Sequence, residues 1–245
     1  MNNKNLTVCV VISCILSVVG LAYMGYVHFG LDNRIAVYIH QHPKEVIESV
    51  QRYQFQEHNK RQKEVFMGAY SSLKDIIYDV DTPHLGNLEN AKNKVVVFFD
   101  HNCSYCRKSY FVKYANDIVT QVPDTVVFFK DVAILGRKSE DIVKVMLGLF
   151  FISPEKYFEV QRVISDEKGL LSEAKVVKLI TKATKLNEEE FYKLMSDNSS
   201  TIDKIFQNNQ SLVRELGVQA TPSFIVNDNL VVGGMPLEDM ILMLK

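Results

Sequence analysis

The spacing of apolar positions changes several times along this chain, and each change marks a different element. From Leu6 to Leu31 the sequence is uncharged and mostly apolar, with Lys4 before it and Asp32 and Arg34 after it. Such a run reads as an export signal, and it also reaches the roughly 20 residues that a bilayer crossing needs. Gly20 and Ala22 offer small residues for cleavage after Ala22, so a cleaved signal and a retained anchor both stand. Lys4 on the cytoplasmic side would put the remainder outside.

Residues 32–84 are rich in helix formers and have no glycine before Gly68. Pro43 suits the first turn of a helix, where its missing N–H costs nothing. Ile39, Val46, Val50 and Tyr53 make a short apolar stripe, and the sequence after Tyr53 turns to Gln, Glu, His, Lys and Arg. The pattern predicts a helical arm. It is either a solvated stalk or, through residues 32–63, the seam of a homo-oligomer.

The turn-rich stretch DVDTPHLGNLENAKN closes the arm. The run KVVVFFD then predicts a strand buried on both faces. Cys103 to about Val122 has helical spacing through Tyr110, Phe111, Tyr114, Ile118 and Val122, and DTVVFFKDVAIL predicts a second buried strand. Strand, helix, strand is the unit that builds a parallel sheet.

From about Arg137 to Gly217 the chain reads as helices almost throughout, with caps expected at Ser139, Ser153, Ser172 and Asn187 and a stop at Gly217. PSFIVND and LVVGG predict two short strands joined as a hairpin at Asp228–Asn229, and a last helix follows Pro236. The order β-α-β, helices, β-β-α predicts an α/β thioredoxin fold with an inserted helical domain. The first strand of such a sheet would come from LKDIIYDV or be missing. The expected divisions are a signal peptide or anchor at 1–31, the arm at 32–84, and the thioredoxin-like domain at 85–245 with its insertion at about 137–217.

Composition narrows the function. The 245 residues are 47% hydrophobic, enough for a sizeable core, and the formal charge of -1 gives no basic excess for nucleic acid. RKSYFVKY interleaves basic and aromatic residues but also reads as an ordinary helix.

Four cysteines remain to be placed. Cys9 and Cys14 lie in the apolar N-terminal run, where they read as small apolar residues, and Cys14 comes too early for a lipidation site. Cys103 and Cys106 form a single Cys-X-X-Cys pair. A zinc site needs four ligands; His101 and His84 are near, but no second cluster completes a set, and no metal or cofactor is expected. A redox pair fits better. Cys103 falls where a strand ends and a helix begins, so unpaired amides favour its thiolate, and Cys106 follows one turn later. Cys103 would attack a substrate disulfide and Cys106 would resolve the mixed disulfide. Ser104 and Tyr105 between them would set the redox poise. Thr221–Pro222, before the strand PSFIV, reads as a cis X-Pro turn whose backbone pairs with an extended substrate peptide.

These residues resemble the DsbA-like thiol–disulfide oxidoreductases of bacterial envelopes, most closely the branch containing the copper-sensitivity suppressor ScsC. The likeness rests on LGN…KVVVFFDHNCSYCRKS, on GVQATPSFIVND with VVGGMPLEDM, and on the arm segment YIHQHPKEVIESVQ. It implies a thioredoxin fold with a helical insertion, Cys103 as nucleophile, Cys106 as resolver and Thr221–Pro222 as the substrate-side loop. It also implies a periplasmic enzyme acting on exported proteins with cysteines, and an arm that builds dimers or trimers. Ser104–Tyr105 differs from the Pro-His of strong oxidases, while Tyr105 and Thr221 resemble the isomerase side. Oxidase and isomerase both stand, as does a reductase kept reduced by a membrane donor. The membrane redox partner is not specified. The alternative from a different class is a copper(I)-binding or chaperone-like envelope protein using the same pair.

Overall fold

The structure, a computed structural model, describes residues 3–108 and 111–245, without the side chains of residues 3–10, 27–32, 55 and 111. It divides into two compact units, Met1–Lys60 and Arg61–Lys245.

The first unit holds helix α1 (Asn3–Gln41) and the start of α2 (Pro43–Ile77). Pro43 opens α2, as its fixed φ and absent N–H suit. Ile39, Ile47, Val50 and Tyr53 are exposed along this unit. Among the described residues, no helix is long and apolar enough to cross a membrane. The ends of the apolar run expected as signal or anchor, residues 6–10 and 27–31, lie outside the described side chains.

The second unit is built on a five-stranded sheet of order β1-β3-β2-β4-β5. The strands are β1 (His84–Leu85), β2 (Asn93–Phe99), β3 (Thr125–Asp131), β4 (Ser223–Val226) and β5 (Asn229–Val232). β2 and β3 are parallel, in register from Asn93↔Thr125 to Phe99↔Asp131, and the other pairs are antiparallel. The apolar run of β2 divides between two cores. Val95, Val97 and Phe99 face one side, where they meet Ile118 of α4 (Phe111–Gln121) and Met240 of α10 (Leu237–Leu244). Val96 and Phe98 face the other, against α2 and α9 (Ser199–Glu215). Burial on both faces is why the strand carries no polar alternation.

LKDIIYDV, read as a possible first strand, is corrected: Leu73 to Ile77 close α2. Phe66, Tyr70, Leu73 and Ile77 recur at helical spacing and bury one stripe under the sheet. Hence this part of the expected arm belongs to the core. Lys130 fixes the end of α2, its ammonium donating to the Ile76 carbonyl at 2.9 Å and the Thr82 hydroxyl at 3.1 Å. The edge strand is instead β1, only two residues long. Gly86 after it has φ +103°, and a Cβ there would meet the Thr125 carbonyl oxygen at 2.3 Å, so the turn admits no side chain.

Between β3 and β4 run α5 (Arg137–Ile152), α6 (Pro154–Asp166), α7 (Glu173–Thr184), α8 (Glu188–Asp197) and α9. Together these are a thioredoxin-like fold with extra helices and an N-terminal helical region. Ser172 and Asn187 cap α7 and α8 as expected, Asn187 within a capping box with Glu190. Ser139 does not cap α5; the N-cap is Gly136, because the Ser139 hydroxyl is taken by the buried carboxylate of Asp100. Ser153 precedes α6, but its hydroxyl bonds Glu155 rather than a helix amide. The hairpin turn is Asn227–Asp228, one residue earlier than expected, and both residues have the positive φ that a tight two-residue turn requires.

Candidate active site

The two cysteines lie at the carboxyl end of β2, where the chain turns through Asp100, His101 and Asn102 into the short helix α3 (Ser104–Lys108). Ser109 and Tyr110, within the helix expected from Cys103 to Val122, lie outside the described residues. The turn is held from inside. Asp100, fully buried, accepts hydrogen bonds from the Asn102 amide at 2.8 Å, the Leu135 amide at 3.0 Å and the Ser139 hydroxyl at 2.7 Å. Its carbonyl accepts from the Cys103 amide at 2.9 Å. A buried carboxylate with three donors is satisfied, so the turn is fixed in one arrangement.

Both cysteines are free thiols. Cys103 is half-buried, whereas Cys106 is 2% exposed and packs in the core with Phe99 and Ile118. The Cys106 amide donates to Cys103 Sγ at 3.4 Å, and that sulfur donates to the Thr221 carbonyl at 3.2 Å. The Cys103 thiol is held down to about 5. A hydrogen bond from the Cys106 thiol is the largest cause, and the Cys106 amide, the Thr221 side chain and the Tyr105 amide add to it against the opposing effect of burial. Burial pushes the Cys106 thiol far up, and its bond to Cys103 adds to that. The pair therefore contains one thiolate at neutral pH and one thiol that keeps its proton.

The remaining expected residues surround the pair. Thr221–Pro222 is a cis peptide bond, and Pro222 is buried while Thr221 is partly exposed. Ser104 is exposed and Tyr105 is 73% exposed. Among the described residues, no group of three or more His, Cys, Asp or Glu is arranged to hold a metal ion.

Several residues around the site were not expected from the sequence. Asn102 accepts from the Leu171 amide at 2.8 Å, and Arg107 donates to the Glu167 and Gly169 carbonyls at 2.9 and 2.6 Å. The loop joining α6 to α7 is thereby fastened to the cysteine turn, and it carries Leu170, 69% exposed. Beneath the turn, His101 Nε2 faces Asp131 Oδ2 at 3.3 Å, and the Tyr157 hydroxyl donates to Asp131 Oδ1 at 2.7 Å. All three side chains are buried. The sequence signal for His101 was its place two residues before Cys103. Its partners come from 30 and 56 residues further on and carry none.

A search of curated protein sequences finds no match. Among solved structures, the thiol-disulfide exchange protein alpha-DsbA2 from Wolbachia pipientis is 30% identical, with a TM-score of 0.65 over 76% of this chain and 96% of that one. The catalytic domain of Proteus mirabilis ScsC is 26% identical, with a TM-score of 0.63 over 73% of this chain and 96% of that one. A periplasmic thioredoxin-like protein from Salmonella enterica serovar Typhimurium shares the fold at 21% identity, with a TM-score of 0.57 over 70% of this chain and 93% of that one. The thioredoxin family model Thioredoxin_4 matches residues 79–245, which hold the sheet, the extra helices and both site cysteines. With most of its length inside that match and a Cys-X-X-Cys pair at the end of its central strand, the chain belongs to the DsbA-like Thioredoxin_4 family of thiol–disulfide oxidoreductases.

Proposed function

We propose that this protein exchanges disulfides in exported, periplasmic proteins, as an oxidase, an isomerase or both. The observation that carries the reading is the inequality of the two thiols: Cys103 reachable and held down to about 5, Cys106 buried and pushed up. Cys103 is the group that attacks a client disulfide or accepts attack by a client thiolate. Cys106 is the group that closes the internal disulfide and expels the client. Ser104 and Tyr105 tune the potential from the exposed side. The contact between Cys103 and the Thr221 carbonyl gives Thr221–Pro222 its role. Once Cys103 loses its proton it no longer donates to that carbonyl, and the carbonyl is free to accept an N–H from an extended client segment. The apolar N-terminal run and the periplasmic setting of the Salmonella protein support export. A second copy of the chain along the Ile39–Tyr53 stripe supplies the paired sites an isomerase uses.

The test is trapping. Cys106→Ser expressed with its signal should accumulate mixed disulfides with envelope proteins on non-reducing gels, and Cys103→Ser should give none. If Cys106→Ser yields no adducts, the assigned division of labour is wrong. Acid-quenched alkylation of the wild type in cells then reads the direction: a pair found oxidised marks an oxidase, and a pair found reduced marks an isomerase or reductase.

A further inference from the structure

Cys106 has a problem that its partner does not. To close the disulfide it must give up a proton, yet it is buried in an apolar core, and its thiol bonds to Cys103, the sulfur it must attack. Three observations meet beside it. A small cavity of about 10 Å³ is bounded by Cys106, His101, Arg107 and Gln161, with Asp100 and Ser165 and the apolar Phe99 and Ile164 completing its wall. That is about the space a single water requires. Among the described residues, three buried polar atoms with no partner belong to this wall: His101 Nδ1, Gln161 Oε1 and Arg107 Nε. Buried polar atoms are rarely left unpaired, so three around one water-sized space point to a hydrated site. Lastly, His101 Nε2 is engaged by Asp131, so Nδ1 is the nitrogen left for the cavity.

We propose that His101, oriented by Asp131, is the proton acceptor for Cys106 through one water in this cavity. The proposal deepens the disulfide-exchange reading and rests on it. Asp131 accepts from Tyr157 at Oδ1 and from His101 at Oδ2, which sets the neutral ring with its proton on Nε2 and its lone pair on Nδ1. Phe99 packs edge-on against the ring at 5.0 Å and holds its plane. The Arg107 Nε–H and the Gln161 carbonyl orient the water. In the resolving step the Cys106 S–H proton passes to the water, and the water passes a proton to His101 Nδ1. The Cys106 thiolate then attacks Cys103 Sγ, the Cys103–Cys106 bond forms, and the bond from Cys103 to the client sulfur breaks. The client leaves as thiolate, reduced by two electrons, and the cysteine pair is oxidised by two. The imidazolium is stabilised by the Asp131 carboxylate until it returns the proton to the departing client or solvent. In the oxidase direction the same groups run in reverse, and His101 protonates the leaving Cys106 thiolate. The charged and titratable groups facing His101 are Asp131 from β3, Asp100 in the turn, and Cys106 and Arg107 from α3. Tyr157 acts on it through Asp131.

The reduced full-length protein is mixed with 5,5′-dithiobis(2-nitrobenzoate) in a stopped-flow instrument across a pH series. The first coloured thiolate reports attack by Cys103 and the second reports resolution by Cys106. In His101→Gln the first phase should stay within about twofold and the second should slow by roughly a hundredfold, the scale of a lost general base. The second phase should also depart from the wild-type pH profile and rise with hydroxide instead. Gln161→Leu, which removes a water partner and leaves the base in place, should slow the second phase less and keep the wild-type pH profile. A second phase unchanged in rate and pH profile in His101→Gln overturns the relay. If that variant does not fold, an unchanged second phase in Gln161→Leu does so. A wild type that releases only one thiolate per chain overturns the disulfide-exchange reading itself, and the relay with it.

Discussion

The Sγ of Cys103 lies 3.2 Å from the carbonyl oxygen of Thr221, a residue 118 positions further along the chain. The contact closes the front of the site with the backbone of one loop, while amides of the cysteine turn supply the donors behind. The first prediction follows from the thiolate this arrangement favours. The alkylation rate of Cys103, followed by mass spectrometry, should rise with a midpoint near 5 rather than at the ordinary value of 9.0. Cys106 should stay unmodified in the folded protein. A midpoint near 9.0 would mean that the surrounding donors do not hold the charge.

The same shift sets a pH dependence of stability. The folded value of Cys103 lies below its unfolded one, so its contribution is complete above about pH 9 and disappears as pH falls through about 5. Between these limits the melting temperature of the dithiol form should climb with pH relative to Cys103→Ser. Cys106, pushed up by burial, works against stability only where an unfolded cysteine would ionise, above about pH 9. Parallel curves for the two proteins from pH 5 to 8 would remove the effect.

Tyr157→Phe deletes one hydroxyl and leaves Asp131 Oδ1 without its donor in a fully buried place. The expected cost is about 1–3 kcal/mol, read from urea unfolding of the reduced protein. A loss below about 0.5 kcal/mol would show that the carboxylate finds another donor.

Arg107→Ala should release the α6–α7 loop. The guanidinium bonds to the Glu167 and Gly169 carbonyls are lost, which leaves the Asn102 bond to the Leu171 amide between that loop and the cysteine turn among the described residues. Hydrogen exchange at residues 168–172 should accelerate by about tenfold or more, with the sheet amides unchanged. Equal protection in the two proteins would show that the loop stands without Arg107.

If copies of the chain pair along the exposed Ile39–Tyr53 stripe, Val50→Glu with Tyr53→Glu places charges in the seam. Light scattering should then give a lower mass than wild type. An identical mass rejects the seam.

Much of this was legible in the sequence, for identifiable reasons. β2 and β3 are buried on both faces, so their apolar runs are continuous and stand out. The cysteine pair has a fixed spacing, and Thr221–Pro222 directly precedes a strand. Ser172 and Asn187 are local signals, each needing only the residue three positions on. Ser139 misled because a distant carboxylate, Asp100, competes for its hydroxyl. β1 is two residues long and has no periodicity to read. The Phe66–Ile77 stripe was missed because a polar stretch precedes it, and the arm was judged by that stretch. The His101–Asp131–Tyr157 cluster was illegible because three elements separated by 30 and 26 residues meet only in the fold.

Asp100 has a last consequence. One carboxylate binds both the turn that presents Cys103 and the first residues of the helical block, through Leu135 and Ser139. It is a joint between the part that reacts and the part that flanks it. Helices α7 and α8 can be lengthened, shortened or replaced with little displacement of the reactive sulfur, provided that joint, α6 and the loop after it are kept. A change at the joint itself would be felt on both sides at once.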